Sequence, residues 1–345
     1  MITFYPGPSK IYPQVAEYLQ DAVKEGILSQ NHRSQAFMDM LKECISLFKQ
    51  KLNIPTDYQV YFTSSATECW EIVAQSFTAK GSLHIYNGAF GQKWFDYNRK
   101  MAGDSAFDIS FDYEDTIPIL ETDTSKYDIL CITQNETSNA TQVDVNQIPM
   151  AEDALIAFDV TSSIGGIELN WTKGDIWLAS VQKCLGLPAG LGVMVCSPRA
   201  LQHARTVGER KHYNSFLFIH ENFEKFQTPY TPNVLAIYLL KRVMEQVADI
   251  DVISAKLKAR NLDFCRFIEE KTIWKLLIDN ESVRSDTVIA IEGVSEAIKD
   301  IKQKAKEAGI TLGNGYGNWK ETTFRIANFP AIEDWEFEAL KTCLV

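Results

Sequence analysis

The sequence predicts an α/β fold: a mostly parallel sheet flanked by helices, followed by a smaller α+β unit. Two observations carry this. Short β-rich runs alternate with stretches of helical periodicity up to about residue 250, and such alternation builds parallel strands covered on both faces. Beyond that point the texture changes to two long helical runs set around short strands. The expected organisation is a large domain over 14–249 and a small domain formed by 1–13 together with 250–345.

The elements follow in chain order. "VAEYLQDAVKEG" after Pro13 predicts a helix, with proline at its first turn and glycine at its end. "AFMDMLKECISLFKQKL" carries a second helical period. "YQVYFT" is a β-rich run that ends at "SSAT", after which "ATECWEIVAQSFTA" returns to helix. "SLHIYN", "AFDISF", "YDILCIT", "ALIAFD", "DIWLAS" and "LGVMVCS" are the remaining strands of the first part. In the last part "VISAKLKARNLDFCRFIEE" and "SEAIKDIKQKAKEAG" are helices, and "TVIAIE" and "TTFRIA" are strands.

Composition narrows the function classes. The chain has 345 residues, 46% hydrophobic and 23% charged, enough for a sizeable core. A formal net charge of −11 argues against a nucleic-acid surface. No apolar run of about 18 residues suggests a membrane span. The opening "MITFYPGPSKIYP" lacks the basic and apolar regions of a secretory signal. Seven cysteines are scattered without a C-x-x-C pair, which fits reduced thiols in a cytoplasm. Five histidines show no zinc spacing, so no metal is expected.

In open α/β sheets, ligands sit beyond the carboxyl ends of the strands. The polar residues that end each strand are therefore the candidates. "YQVYFT" leads into Ser65, Ala66 and Thr67 at a helix start. "SLHIYN" leads to Phe90, "YDILCIT" to Thr137, "ALIAFD" ends on Asp159, and "DIWLAS" leads to Gln182 and Lys183. Together these offer an anion cradle, an aromatic ring, a carboxylate and an amine.

That set suits pyridoxal phosphate. A phosphate dianion is held by backbone N–H groups and hydroxyls at a helix N-terminus, as Ser65, Ala66 and Thr67 would provide. A buried carboxylate, Asp159, keeps a pyridine nitrogen protonated. Phe90 offers a face for the ring. Lys183 offers an amine to bond the aldehyde and then to carry a proton. Each residue also has a plainer reading: a snorkelling surface lysine, a turn aspartate, an N-cap serine, a core phenylalanine. The combination, in order along one sheet, favours the cofactor.

The motifs resemble the class V aminotransferases of the pyridoxal phosphate fold type I, and within them the phosphoserine aminotransferase branch. "FYPGPSKIYPQV", "NHRSQAF", "GAFGQKW", "QNETSNA", "AFDVTSSIGG", "ASVQKCLGLPAGLGVMV" and "YTPNVLAIYLL" carry the resemblance over nearly the whole chain. It implies Lys183 and Asp159 as catalytic residues. It implies Ser65, Ala66, Thr67, Phe90, Thr137 and Gln182 around pyridoxal phosphate, with Tyr230 and Thr231 reaching the phosphate from a neighbouring subunit. Arg325 is implied to bind the substrate α-carboxylate, for which a guanidinium fork is suited. His32 and Arg33 are implied to bind substrate in the partner's site, and hence a homodimer with shared sites. The partners are otherwise an amino acid and a 2-oxo acid.

One segment departs from the branch. Phosphoserine aminotransferases carry G-H-R-x-x-G-G near the C-terminus, whereas this chain has "LGNGYGNWKETTFRIANFPA", without the His-Arg pair. That ending is more similar to the alanine–glyoxylate and serine–pyruvate branch. The run "RTVGERKHYN" adds Arg205, Arg210, Lys211 and His212, read as a solvated face or as extra positive charge at the site mouth. Cys184, next to the lysine, is read as packing. The expected reaction is transamination of O-phosphoserine with 2-oxoglutarate. Its alternative is alanine or serine with glyoxylate or pyruvate, and a non-catalytic module of the same fold is a third reading.

Overall fold

The computed structural model describes residues 2–118 and 123–345. In chain order it contains β1 (Ile2–Thr3), α1 (Val15–Lys24), α2 (Gln35–Lys51), β2 (Gln59–Thr63), α3 (Ala66–Ser76), β3 (Ser82–Tyr86), α4 (Ala89–Ala102) and β4 (Ala106–Ser110). Then come β5 (Ile129–Thr133), β6 (Asn135–Glu136), β7 (Thr141–Gln142), β8 (Leu155–Asp159), β9 (Ile176–Ser180), β10 (Gly192–Cys196), α5 (Pro198–Val207), α6 (Phe216–Phe223) and α7 (Val234–Gln246). The last part holds α8 (Ile250–Lys271), β11 (Lys275–Leu276), β12 (Val288–Glu292), α9 (Ser295–Glu307), β13 (Ile310–Thr311), β14 (Gly313–Asn314), β15 (Thr323–Ala327) and α10 (Asp334–Leu344). Residues 1 and 119–122, within the expected small and large domains, lie outside the described residues.

The main sheet has seven strands in the order β2-β10-β9-β8-β5-β3-β4. The pairs β3–β4, β3–β5, β5–β8 and β8–β9 are parallel. Strands β5, β8, β9 and β10 are buried at every position, which is why they read as continuous apolar runs. The exception to parallel order is β10, antiparallel to both β9 and β2. A strand buried on both faces carries no sign of its direction in its pattern, so the sequence did not announce this reversal. It has a positional consequence: β9 returns into β10 through residues 181–191, and this return loop lies at the carboxyl end of β9.

The second sheet is antiparallel, in the order β11-β12-β15-β14. The short β1 pairs in parallel with β13, and Phe4 is fully buried in the core built around this sheet. The two helices expected after residue 250 are α8 and α9. Strands β12 and β15 are the runs expected at "TVIAIE" and "TTFRIA". Among the described residues no helix is long and apolar enough to cross a membrane. All seven cysteines are buried free thiols.

Candidate active site around Lys183

Lys183 sits in the return loop after β9. Gly186 N–H donates to the Lys183 carbonyl at 2.9 Å, and Val181 N–H to the Leu191 carbonyl at 3.1 Å. Gly186 has a φ of +61°, and a Cβ there would meet the Tyr12 ring at 2.5 Å, so the turn requires glycine. The amino-terminal segment presses on the lysine stem: a Cβ on Gly7 would sit 3.0 Å from Lys183 Cε. Lys183 is therefore buried, 8% exposed, rather than snorkelling to water. Its Nζ donates to Thr137 Oγ1 at 2.6 Å and lies 5.1 Å from the Phe90 ring centroid. Burial lowers its amine from 10.5 to about 8, against the pull of Asp159 and Glu136.

Asp159 ends β8, next to β9 in the sheet. Its Oδ2 accepts Trp70 Nε1–H at 2.9 Å and its Oδ1 accepts Thr161 N–H at 2.9 Å. Burial raises its carboxyl above the usual range, although Thr161, Lys183 and Trp70 all work to lower it. A carboxylate in that balance lacks positive charge, and a protonated pyridine nitrogen would supply it.

The helix α3 begins at the same edge. Ser65 Oγ accepts Glu68 N–H at 3.1 Å, so this side chain is the N-cap. Ala66 N–H donates to Ser180 Oγ at 2.7 Å, joining the helix start to the end of β9. Helix α4 begins after β3, the next strand in chain order. Its first N–H, from Ala89, donates to Ser138 Oγ at 3.0 Å, and the next two, from Phe90 and Gly91, donate to Glu136 Oε2 at 3.0 and 3.1 Å. Ser138 holds the other oxygen of Glu136 through its N–H at 2.9 Å and its Oγ at 2.7 Å. A negative group at a helix start is favourable, and it fixes Phe90 over Lys183.

These residues enclose a cavity of ≈ 130 Å³ lined by Ala66, Thr67, Phe90, Thr137, Asp159, Gln182 and Lys183, with Trp70, Lys93, Thr133 and Thr161 among the rest of its wall. Two buried hydroxyls of that wall, Thr133 Oγ1 and Thr161 Oγ1, have no hydrogen-bond partner among the described residues. Pyridoxal phosphate fits this donor set: unpaired hydroxyls, a helix N-terminus, a carboxylate short of positive charge and a neutralisable amine.

Arg325 stands just behind. It is a buried residue of β15, 5% exposed. Its Nη1 donates to the Thr137 carbonyl at 2.6 Å and its Nε to the Asn314 carbonyl at 2.7 Å. Thr137 thus touches Lys183 through its hydroxyl and Arg325 through its backbone.

Other expected site residues lie elsewhere. Ser65, His32, Arg33, Tyr230 and Thr231 do not line the cavity of their own chain. Arg33 and Thr231 are exposed. Arg33 Nη1 donates to Gln227 Oε1 at 2.6 Å. Tyr230 packs edge-on against Tyr213 at 5.8 Å, its hydroxyl buried without a hydrogen-bond partner among the described residues. In the basic run, Arg210 pairs with Glu221 at 2.5 Å and His212 with Glu209 at 2.9 Å, as a solvated face would. Cys184 is buried, and its Sγ donates to the Ser162 carbonyl at 3.1 Å, a packing role.

Trp70 and Glu136 are among the site residues that escaped the sequence reading. Trp70 reads as a core residue of α3, yet it is three positions after Thr67 and so on the same helix face, a spacing that would have found it. Glu136 reads as part of a motif, and its role as the start-cap of α4 depends on a contact across the fold.

Comparison with known proteins bears on the family and the fold. Residues 3–89 and 109–317 match the family model Aminotransferase class-V. A phosphoserine aminotransferase from Rhodococcus opacus is 26% identical over 95% of this chain and 90% of its own length. The crystal structure of a phosphoserine aminotransferase from Cytophaga hutchinsonii superposes with a TM-score of 0.93 at 31% identity, covering 99% of this chain and 98% of that one. An aspartate aminotransferase of subgroup IV from Thermus thermophilus shares the fold, with a TM-score of 0.83 at 21% identity and coverage of 99% and 97%.

Proposed function

This chain belongs to the class V aminotransferase family, the pyridoxal phosphate-dependent transaminases, and we propose that it exchanges the amino group of O-phosphoserine with 2-oxoglutarate at the Lys183 cavity. The observation that carries the site assignment is the buried Lys183 amine facing Asp159 across one cavity. The donor rests on the relatives named phosphoserine aminotransferase, from Rhodococcus and Cytophaga.

When bound, pyridoxal phosphate supplies the electron sink that makes a substrate α-proton removable. The chain supplies the rest. Thr67 would hold the phosphate at the start of α3, where the bond from Ala66 N–H to Ser180 Oγ fixes the helix end, and Asp159 would hold the ring nitrogen. Phe90 would cover one ring face and Gln182 the wall beside it. Lys183 Nζ, lowered to about 8, has a neutral form at neutral pH that can take a proton from the substrate α-carbon and return it elsewhere. Thr137 Oγ1 accepts a hydrogen bond from that Nζ and keeps it directed. Arg325 would receive the α-carboxylate common to both substrates through the N–H groups it does not spend on carbonyls.

A second reading has one specific observation behind it. Tyr316 and Trp319 stand in the C-terminal segment where the phosphoserine branch has its His-Arg pair, and Arg210 is already engaged by Glu221. A phosphate dianion buried without matched charge is costly. Alanine or serine with glyoxylate or pyruvate would need no such match. Under the first reading the charge comes from His32 and Arg33 of a partner subunit, and we accordingly propose a homodimer. The seven buried thiols support the cytoplasm as its compartment.

The test is a donor panel at equal concentration, following the conversion of bound cofactor by absorbance. Phosphoserine should react fastest. If it reacts no faster than serine, the donor assignment falls and the transaminase assignment stands.

A further inference from the structure

The geometry points to Tyr316 as a positioning residue that fixes the plane of the Arg325 guanidinium and so sets carboxylate affinity at the Lys183 site. The inference rests on the reading of Arg325 as the α-carboxylate receptor, and on no choice of amino donor.

The loop that carries Tyr316 is held rigid by its own contacts. A Cβ on Gly315 would fall 2.1 Å from the Trp319 carbonyl oxygen, so only glycine permits the turn. Trp319 N–H donates to the Tyr316 carbonyl at 3.0 Å, and Thr323 Oγ1 donates to the Trp319 carbonyl at 2.8 Å. Trp319 packs edge-on against Tyr113 at 5.2 Å. The backbone at Tyr316 is therefore placed without help from its side chain.

Its ring lies between two residues of the site. The Phe90 centroid is 5.2 Å away with the planes 33° apart, and Arg325 Cζ lies over the ring at 5.5 Å from its centroid. Arg325 spends Nε–H and one Nη1–H on the carbonyls of Asn314 and Thr137. Those two bonds fix points within the guanidinium plane but leave its tilt free about the line joining them. The Tyr316 ring supplies the missing restraint through a guanidinium–aromatic contact. Three N–H groups remain, and their direction decides whether a carboxylate meets a bidentate fork. The aromatic face does this work, and the phenol hydroxyl is not required for it. Tyr316 is 36% exposed, so its truncation does not open the core.

The experiment compares holoenzyme of wild type, Tyr316→Phe, Tyr316→Ala and Arg325→Lys. It reads KM and kcat for an amino donor and 2-oxoglutarate. It also reads the Kd of glutarate, an unreactive dicarboxylate, by calorimetry. Tyr316→Ala should raise both KM values and the glutarate Kd about tenfold while kcat changes less than threefold. Tyr316→Phe should stay within twofold of wild type on every reading. If Tyr316→Phe is as defective as Tyr316→Ala, or if Tyr316→Ala leaves the glutarate Kd unchanged, the positioning role is wrong. If Arg325→Lys leaves that Kd unchanged, the receptor reading fails and takes this inference with it. A panel in which serine outruns phosphoserine would overturn the donor assignment alone.

Discussion

Lys183 is a charge that folding makes costly, and this gives it a signature that needs no substrate. Its amine titrates near 8 in the folded chain against 10.5 unfolded. Between those values the unfolded chain keeps a proton that the folded chain has released, so stability from this group rises with pH through the window. In cofactor-free protein, wild type should gain on Lys183→Met by about 3 kcal/mol from pH 8 to pH 10.5. Denaturant titrations of both proteins across that range read the difference, and a flat difference would deny the shifted amine. Asp159→Ala should remain folded by circular dichroism and lose at least about 3 kcal/mol of transition-state stabilisation, read as kcat/KM. Near wild-type turnover would remove its role at the ring nitrogen. At this scale the sequence was informative where chemistry meets a strand end, as at Asp159 and Lys183. It was less direct on Trp70: the spacing from Thr67 puts that ring on the site face of α3, but its N–H on the Asp159 carboxylate is a contact across the fold.

The site is assembled by three element junctions: the start of α3, the start of α4 and the return from β9 to β10. The first and third meet at Gly192, where a Cβ would lie 2.3 Å from Thr63 Oγ1 and 2.6 Å from the Ser65 carbonyl carbon. Gly192→Ala should push the β2–α3 turn away from β9 and break the Ala66 to Ser180 bond. The expected result is a Kd for pyridoxal phosphate raised more than tenfold, measured by absorbance titration. Unchanged affinity would mean that the start of α3 is not the phosphate cradle. Ser65→Ala should by contrast lower stability by about 1 kcal/mol as a lost N-cap, with a smaller effect on the cofactor. Strand positions were legible because apolar runs bounded by polar ends are a local property. The reversal of β10 was not, since both faces of that strand are buried. The Glu136 cap on α4 was not legible either, because it joins residues more than forty positions apart.

At the scale of the whole molecule, the amino terminus joins the carboxy-terminal part. β1 pairs with β13 and Phe4 enters the core of the second sheet. We propose on this basis the division into 14–249 and a unit of 1–13 with 250–345. The same amino-terminal segment packs on Lys183 through Gly7, so the two units share the site. We propose that a second chain completes the site. His32, Arg33, Tyr230 and Thr231 lie outside their own cavity, and a dimer would bring them to the partner's. Lys183→Ala and Arg33→Ala should each be poorly active alone, and mixed subunits should regain activity through hybrid dimers with one intact site. An active, strictly monomeric enzyme in sedimentation would contradict shared sites. What a single chain's sequence could show of this was limited to motif resemblance, because residues serving another subunit have no partner in their own chain.

The chemistry of the site turns on the identity of one amine. Holoenzyme reduced with borohydride, digested and analysed by mass spectrometry should carry a phosphopyridoxyl group on the peptide containing Lys183 and on no other. A label on a different lysine, or none at all, would contradict it.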